Sequence, residues 1–200
     1  MIKFIDVNNN QVLYWLSQAE SMDMSGTSQM KFKGFTESDD YTKVRDQSIS
    51  KEYLDRRLRN IHEHKIEFAF NKLVGETAGG AYLLRNLKTI LNYTEYFTSG
   101  YDTKGFVGWH SDSDIAGYYI SFVYQGEGTG ILKYRDVESG EIIDFTNAPG
   151  WNVFSYVLGS KKENMLWHAA VSDSKRFSFL IKFASLEDLN KAINILATNP

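Results

Sequence analysis

Between Asn92 and Phe183 the chain is a succession of short runs rich in Tyr, Phe, Val and Ile, each closed by glycine-bearing or acidic residues. Spacing of this kind is how antiparallel β-structure reads. The runs at Asn92–Thr98, Gly105–Asp112, Gly117–Gln125, Gly130–Arg135, Glu141–Phe145, Trp151–Leu158, Met165–Val171 and Arg176–Phe183 predict strands whose number suits a double-stranded β-helix, or jelly roll. Ser185 and Asp188 make a capping box for a closing amphipathic helix with Leu186, Leu189, Ile193 and Leu196 on its apolar stripe.

The pattern before Asn92 is different. Weak alternation from Ile2 to Val7 predicts an opening strand, and Val12–Leu16 a short helical turn. Ser17–Ser50 is polar with no sustained period, so it reads as irregular: a lid over a site, or a plain connection. Ser50 is an N-cap for a helix over Lys51–Leu73, because Leu54, Leu58, Ile61, Lys65 and Phe68 fall near one stripe, with Glu52 in the first turn and Gly75 as the stop. Ala81–Leu91 reads either as a short helix or as the approach to a strand. The expected architecture is α+β, mainly β. It is one domain with a helical and irregular part at 1–91, a jelly-roll core at 92–184 and a closing helix at 185–200.

At 42% hydrophobic content, 200 residues bury a sizeable core. With no cysteine, disulfides, thiolate metal sites and cysteine nucleophiles are excluded, so a bound metal must take nitrogen and oxygen ligands. The asparagine run in MIKFIDVNNNQ stands where a signal peptide needs an apolar core, and no later stretch is apolar for long enough to span a bilayer. The expectation is a soluble cytoplasmic protein without a membrane partner. A net charge of −3 with scattered basic residues argues against a general nucleic-acid binder.

The four histidines divide by local geometry. On a helix, His62 and His64 diverge by roughly 200°, cannot easily share a metal, and read as a solvated face of HEHK. His110 and Asp112, at the end of a strand, project to one side and can chelate one ion. In GWHSDSD, Ser111 and Ser113 face away and Asp114 lies on the ligand side, as a supporting group or a competing ligand. His168, roughly 55 residues on, completes a two-histidine, one-carboxylate set that leaves positions open on an octahedral ion, which suits iron(II). Arg176 follows eight residues later with Ser178 two further on the same face, a guanidinium and a hydroxyl fit for a carboxylate. Read blandly, His168 is a structural strand residue and Arg176 makes a surface ion pair. Trp109 and Trp167, just before the two histidines, alternate to the opposite face and read as core.

His-x-Asp, a distant His and Arg-x-Ser on the next strand, in an all-β second half, together resemble the 2-oxoglutarate and iron(II)-dependent oxygenase superfamily, and within it the prolyl-hydroxylase-like branch. The resemblance covers Asn92–Ala184. ISFVYQGEGTGILKY is similar to the strand and turn after that family's first metal motif, and GWNVFSYVL to the strand before its second histidine. It implies His110, Asp112 and His168 as catalytic metal ligands and Arg176 with Ser178 on the distal carboxylate of 2-oxoglutarate. It also implies a tyrosine upstream of the metal motif on that carboxylate. Tyr96 is the choice, with Tyr93 and Tyr101 close behind. Iron(II), 2-oxoglutarate and O2 are the implied cofactors, with ascorbate admitted beside them.

The implied reaction is hydroxylation of an unactivated C–H bond, since related halogenases replace the carboxylate that Asp112 supplies. The expected substrate is a peptidyl (prolyl-type) or free amino-acid side chain. A nucleic-acid dealkylating enzyme or a small-molecule tailoring oxygenase of the same superfamily are alternatives. From another class, a non-catalytic jelly-roll binding protein competes, and a cupin-type dioxygenase lacks enough placed histidines. On β-run Gly117–Gln125, Tyr119, Ser121 and Val123 form one face and Ile120, Phe122 and Tyr124 the other, and either can face the metal. Oligomeric state is not legible.

Overall fold

The computed structural model describes residues 2–22, 24, 28–36, 38–60 and 64–199. Among them run β1 (Lys3–Phe4), α1 (Asn10–Glu20), β2 (Ser28–Lys33), α2 (Tyr41–Ser48), α3 (Lys51–Arg59), β3 (Ala69–Val74), α4 (Ala78–Leu87) and β4 (Glu95–His110). Then follow β5 (Gly117–Gln125), β6 (Gly130–Arg135), β7 (Ile142–Asn147), β8 (Gly150–Leu158), β9 (His168–Ser172), β10 (Arg176–Phe183) and α5 (Leu186–Ala197).

β4 is the spine of a curled antiparallel sheet. Its first half, Glu95–Tyr101, pairs with β10, and its second half pairs with β9, while β3 runs along its other edge. β9 and β10 therefore lie end to end along β4, with only residues 173–175 between them. Beyond β10 come β5, β8 and β1; beyond β9 come β6 and β7. The two halves face each other as a half-barrel of jelly-roll type. The bend falls where β4 carries extra residues: Phe70 pairs with Phe106 but Lys72 with Tyr101. Asn71 (φ 48°) and Lys104 (φ 60°) take left-handed backbone there. The Asn71 amide donates to the Thr103 carbonyl at 3.0 Å and the Tyr41 hydroxyl to the Lys104 carbonyl at 2.6 Å, which holds the bend.

Period-two alternation then sorts side chains between two environments. On β10, Phe177, Phe179, Ile181 and Phe183 are buried under helices, in one cluster with Val12 and Trp15 of α1, Leu83 and Leu87 of α4, and Leu189 and Leu196 of α5. Arg176, Ser178 and Leu180 face the hollow between the halves. β5 obeys the same rule: Ile120 and Phe122 join the helical core and Ser121 faces the hollow, which settles the two faces the sequence left open. On the far half, α3 places Tyr53 and Leu54 against Trp109 and Trp167, both buried core residues.

The strands at Gly117–Gln125, Gly130–Arg135 and Arg176–Phe183 and the closing helix stand where expected, with the Ser185 hydroxyl accepting from the Asp188 amide at 3.1 Å. Other expectations need correction. The separate runs Asn92–Thr98 and Gly105–Asp112 are one strand, because the polar loop between them is absorbed as the bend. The helix expected over Lys51–Leu73 ends at Arg59, and Ala69–Val74 is β3. The apolar segment IEFAF fits a helical stripe equally well on paper, but pairing with β4 takes it into the sheet, a tertiary override of local periodicity. Ile61 and His62 lie outside the described residues. The stretch Ser17–Ser50 is not wholly irregular: it holds the end of α1, β2 and α2, with the α2 residue Tyr41 4.9 Å from the Phe70 ring. Ala81–Leu91 resolves as helix α4, which begins at Ala78. No helix among the described residues is long and apolar enough to cross a membrane.

α4 sits close on the sheet because it is glycine-bearing: a Cβ at Gly80 meets Cε1 of Phe179 at 2.1 Å. Gly80→Ala is expected to cost about 1–3 kcal/mol by overpacking, a fall in Tm of roughly 2–4 °C per kcal/mol, read by thermal unfolding.

Candidate metal centre

Three donors converge at the mouth of the hollow. His110 ends β4, Asp112 lies two residues on in the turn toward the short 3-10 segment Ser113–Ile115, and His168 opens β9 directly across from His110. A one-residue bulge between Val107 and His110 re-aims the strand end so that the His110 imidazole, 5% exposed, points inward. The Asp112 carboxylate lies 3.8 Å from His110 Nε2 and 3.5 Å from His168 Nε2, and one ligand atom from each residue falls within 4.8 Å of the others. Donors about 2.1 Å from a shared ion sit roughly 3 Å apart when cis, so a small rotation closes this set on a cation.

Each imidazole is oriented by its other nitrogen. His110 Nδ1 lies 2.9 Å from the Gly108 carbonyl, and His168 Nδ1 3.2 Å from the Leu166 carbonyl. A carbonyl only accepts, so Nδ1 is the protonated nitrogen of each ring, which in the neutral tautomer leaves Nε2 as the nitrogen that can bind a metal. Burial, reinforced by His168, holds the pKa of His110 well below the usual imidazole value, so it stays neutral as a ligand must. Asp112 is held below the ordinary carboxylate value; burial opposes this, but the histidines and Lys72 outweigh it. Two imidazoles and a carboxylate on one side of an ion, with the remaining positions open, is the donor chemistry that suits non-haem iron(II).

The donors open on a cavity of about 210 Å³ walled by Phe97, Leu132, Phe154, Leu166 and Leu180. Arg176, 4% exposed, lines the same cavity, with Ser178 two residues on along the same face of β10. Among the described residues its guanidinium has no ion pair, and Nε lacks a hydrogen-bond partner. The Tyr101 ring lies 5.6 Å from Cζ, on the directly paired position of β4, and the Tyr156 hydroxyl also acts on its charge. Burial pushes its pKa down. A buried cation without an anion is costly, and an anion entering the cavity would lower that cost. The surface ion pair that a bland reading of Arg176 predicts is absent among the described residues.

Tyr96 does not share this cavity. It is 48% exposed, because it differs from Tyr101 by an odd number of residues along the strand and so turns to the other face, near Glu76. Tyr93 is buried beside α4, its hydroxyl donating to the Leu84 carbonyl at 2.9 Å. The tyrosine at the cavity is Tyr101, joined by Tyr156 of β8, and burial raises both hydroxyl pKa values, Tyr101 to about 12. Asp114 is exposed and stands outside the donor set. His64, expected on a helix face, instead lies in the segment before β3, where its carbonyl accepts from the Ser111 amide at 2.8 Å. Sequence reading missed Lys72 and Tyr156 at the cavity. Tyr156 was within reach through the shared parity of Phe154 and Tyr156, but Lys72 was hidden in a segment read as helix.

No family model matches the sequence, and no curated protein matches it. Similar solved structures include a prolyl-4-hydroxylase from Pseudomonas putida, 13% identical over 92% of this chain and 91% of that one at a TM-score of 0.40. OsALKBH1 is 11% identical over 86% of this chain and 92% of that one, at 0.38. YcfD, a ribosomal oxygenase from Escherichia coli, is 18% identical at 0.36, over 57% of this chain, which spans only 30% of its length. Likeness this loose bears on neither substrate nor reaction. The resemblance of the site to 2-oxoglutarate and iron(II) oxygenases rests on the donor set itself.

His110→Ala and His168→Ala are each expected to weaken iron(II) binding by more than about 100-fold, beyond what loss of a mere supporting contact costs, as measured by anaerobic metal titration. The metal-free protein should lose stability as pH falls below 6.5, the ordinary imidazole value. The unfolded chain takes up a proton there that buried His110 refuses, a slope of about 1.4 kcal/mol per pH unit. Urea unfolding between pH 7 and 5 checks this, and His110→Gln should flatten the slope.

Proposed function

We propose that this chain is a 2-oxoglutarate- and iron(II)-dependent dioxygenase that hydroxylates an unactivated C–H bond of a peptidyl (prolyl-type) or free amino-acid side chain. The observation that carries the reading is the shared cavity, lined both by a His-Asp-His donor set and by a buried arginine that has no ion pair among the described residues. A jelly-roll binding protein has no need of that pairing.

His110, Asp112 and His168 would hold iron(II). When bound, the iron and its co-substrate supply the oxidising power: 2-oxoglutarate, O2 and a C–H bond become succinate, carbon dioxide and a C–OH group. The protein's own work is placement. Arg176 and Ser178 take the distal carboxylate of 2-oxoglutarate, with charge-assisted hydrogen bonds in a site of low dielectric. Tyr101 braces the guanidinium from the neighbouring strand. The Gly108 and Leu166 carbonyls lock both imidazoles with Nε2 toward the ion. Phe97, Leu132, Phe154, Leu166 and Leu180 keep bulk water from the reacting centre, which favours transfer of the oxidation to substrate over side reactions. Asp112 occupies the position that a halogenase leaves vacant, so hydroxylation is the expected outcome.

Adding iron(II) and 2-oxoglutarate to the protein without oxygen should produce the weak visible charge-transfer band of a chelated keto acid, dependent on both additions and lost in Asp112→Ala. A well-folded wild type without that band sinks the proposal. A second expectation separates function from stability. Arg176→Met should raise the Kd for 2-oxoglutarate at least tenfold, the effect of removing a charged hydrogen bond of about 1.5–3 kcal/mol, while leaving Tm unchanged or higher. Arg57→Met should lower Tm, because that buried guanidinium is spoken for by Glu67 at 2.7 Å, the Tyr53 hydroxyl at 3.2 Å and the Lys65 carbonyl.

A further inference from the structure

The cavity contains a second cation that the chemistry above does not use. Lys72 of β3 lines it, and the ladder explains how: Lys72 pairs with Tyr101, which pairs with Arg176, so the three stand on one rung across β3, β4 and β10 and project to one face. They reach that register only because the Asn71 bend lies between Phe70 and Lys72. Among the described residues the Lys72 ammonium makes no ion pair or hydrogen bond. Lys72 and Arg176 are two strands apart, roughly 10 Å between backbones, with the Tyr101 ring between them. Lys72 also stands near enough to the donor set for its charge to bear on Asp112 and His110.

The charge balance of the cavity is uneven. One carboxylate, Asp112, faces Lys72, Arg176 and a divalent ion, and a dianionic co-substrate leaves one positive charge uncompensated. We propose that Lys72 forms an anion site of its own beside the metal, and that the molecule oxidised there is a small acid, such as a free amino acid, with a carboxylate near its target carbon. This rests on the oxygenase reading and narrows it, favouring a free acid over an internal peptide residue. A cavity of about 210 Å³, below the 300–1,000 Å³ of typical ligand pockets, fits a small guest.

The test uses the full-length protein with iron(II) and 2-oxoglutarate under argon. Free amino acids and their α-carboxamides are titrated in, with binding read by calorimetry and by the shift of the charge-transfer band. In the wild type the best acid should bind at least about tenfold tighter than its carboxamide, the scale of one charge-assisted hydrogen bond. Lys72→Met should erase that preference and leave the Kd for 2-oxoglutarate within about twofold, and Lys72→Arg should restore part of the preference. Retention of the band in Lys72→Met shows that the variant folds. If the variant loses 2-oxoglutarate as severely as Arg176→Met does, Lys72 belongs to the co-substrate and the proposal is wrong. Equal binding of acids and carboxamides by the wild type, or a preference that survives Lys72→Met, also overturns it. A wild type with no band at all overturns the oxygenase reading itself, which is a different result from any of these.

Discussion

An antiparallel ladder forces neighbouring residues to opposite faces, and every important feature of this molecule hangs on that constraint as β4 and β10 apply it. One face of β10 gives four large apolar side chains to the helices; the other gives Arg176, Ser178 and Leu180 to the hollow. Burial of the first face supplies the free energy that lets the second keep a guanidinium out of water. Without that apolar side the polar one has no support, since a buried cation lacking a partner opposes folding.

Bends in the same strands turn a sheet into a site. A regular β4 paired with one partner throughout makes a flat surface. The extra residues at 102–104 let its halves serve two sheets, and the bulge before His110 rotates the strand end so that an imidazole faces its counterpart on β9. These irregularities do for the candidate metal centre what loops do in many proteins, with the donors carried on or beside paired strands and so held more rigidly.

Electrostatics give the cavity its character: two imidazoles and the Asp112 carboxylate share it with the cationic side chains of Arg176 and Lys72. Local geometry prepares the donors: carbonyls orient both imidazoles through Nδ1, and burial with neighbouring charge lowers the pKa values of His110 and Asp112.

The strands of the second half were legible because their alternation, glycines and β-branched residues agree with one another, and the donor set was legible because His110 and Asp112 are near neighbours while His168 and Arg176 sit at strand starts. Parity also predicted the burial of Trp109 and Trp167. The segment after Arg59 was not legible. IEFAF carries no period that separates strand from helix, and only β4, drawn from elsewhere in the chain, supplied the hydrogen bonds that decided it. Tyr96 failed for a related reason: which tyrosine shares a face with Arg176 depends on register, and register is a property of two strands together. Lys72 needed both kinds of information. Local chemistry was thus written in the sequence wherever its parts are close in the chain or repeat with a fixed period, and tertiary structure alone decided which distant residues share a rung, because that depends on the pairing of strands far apart in sequence.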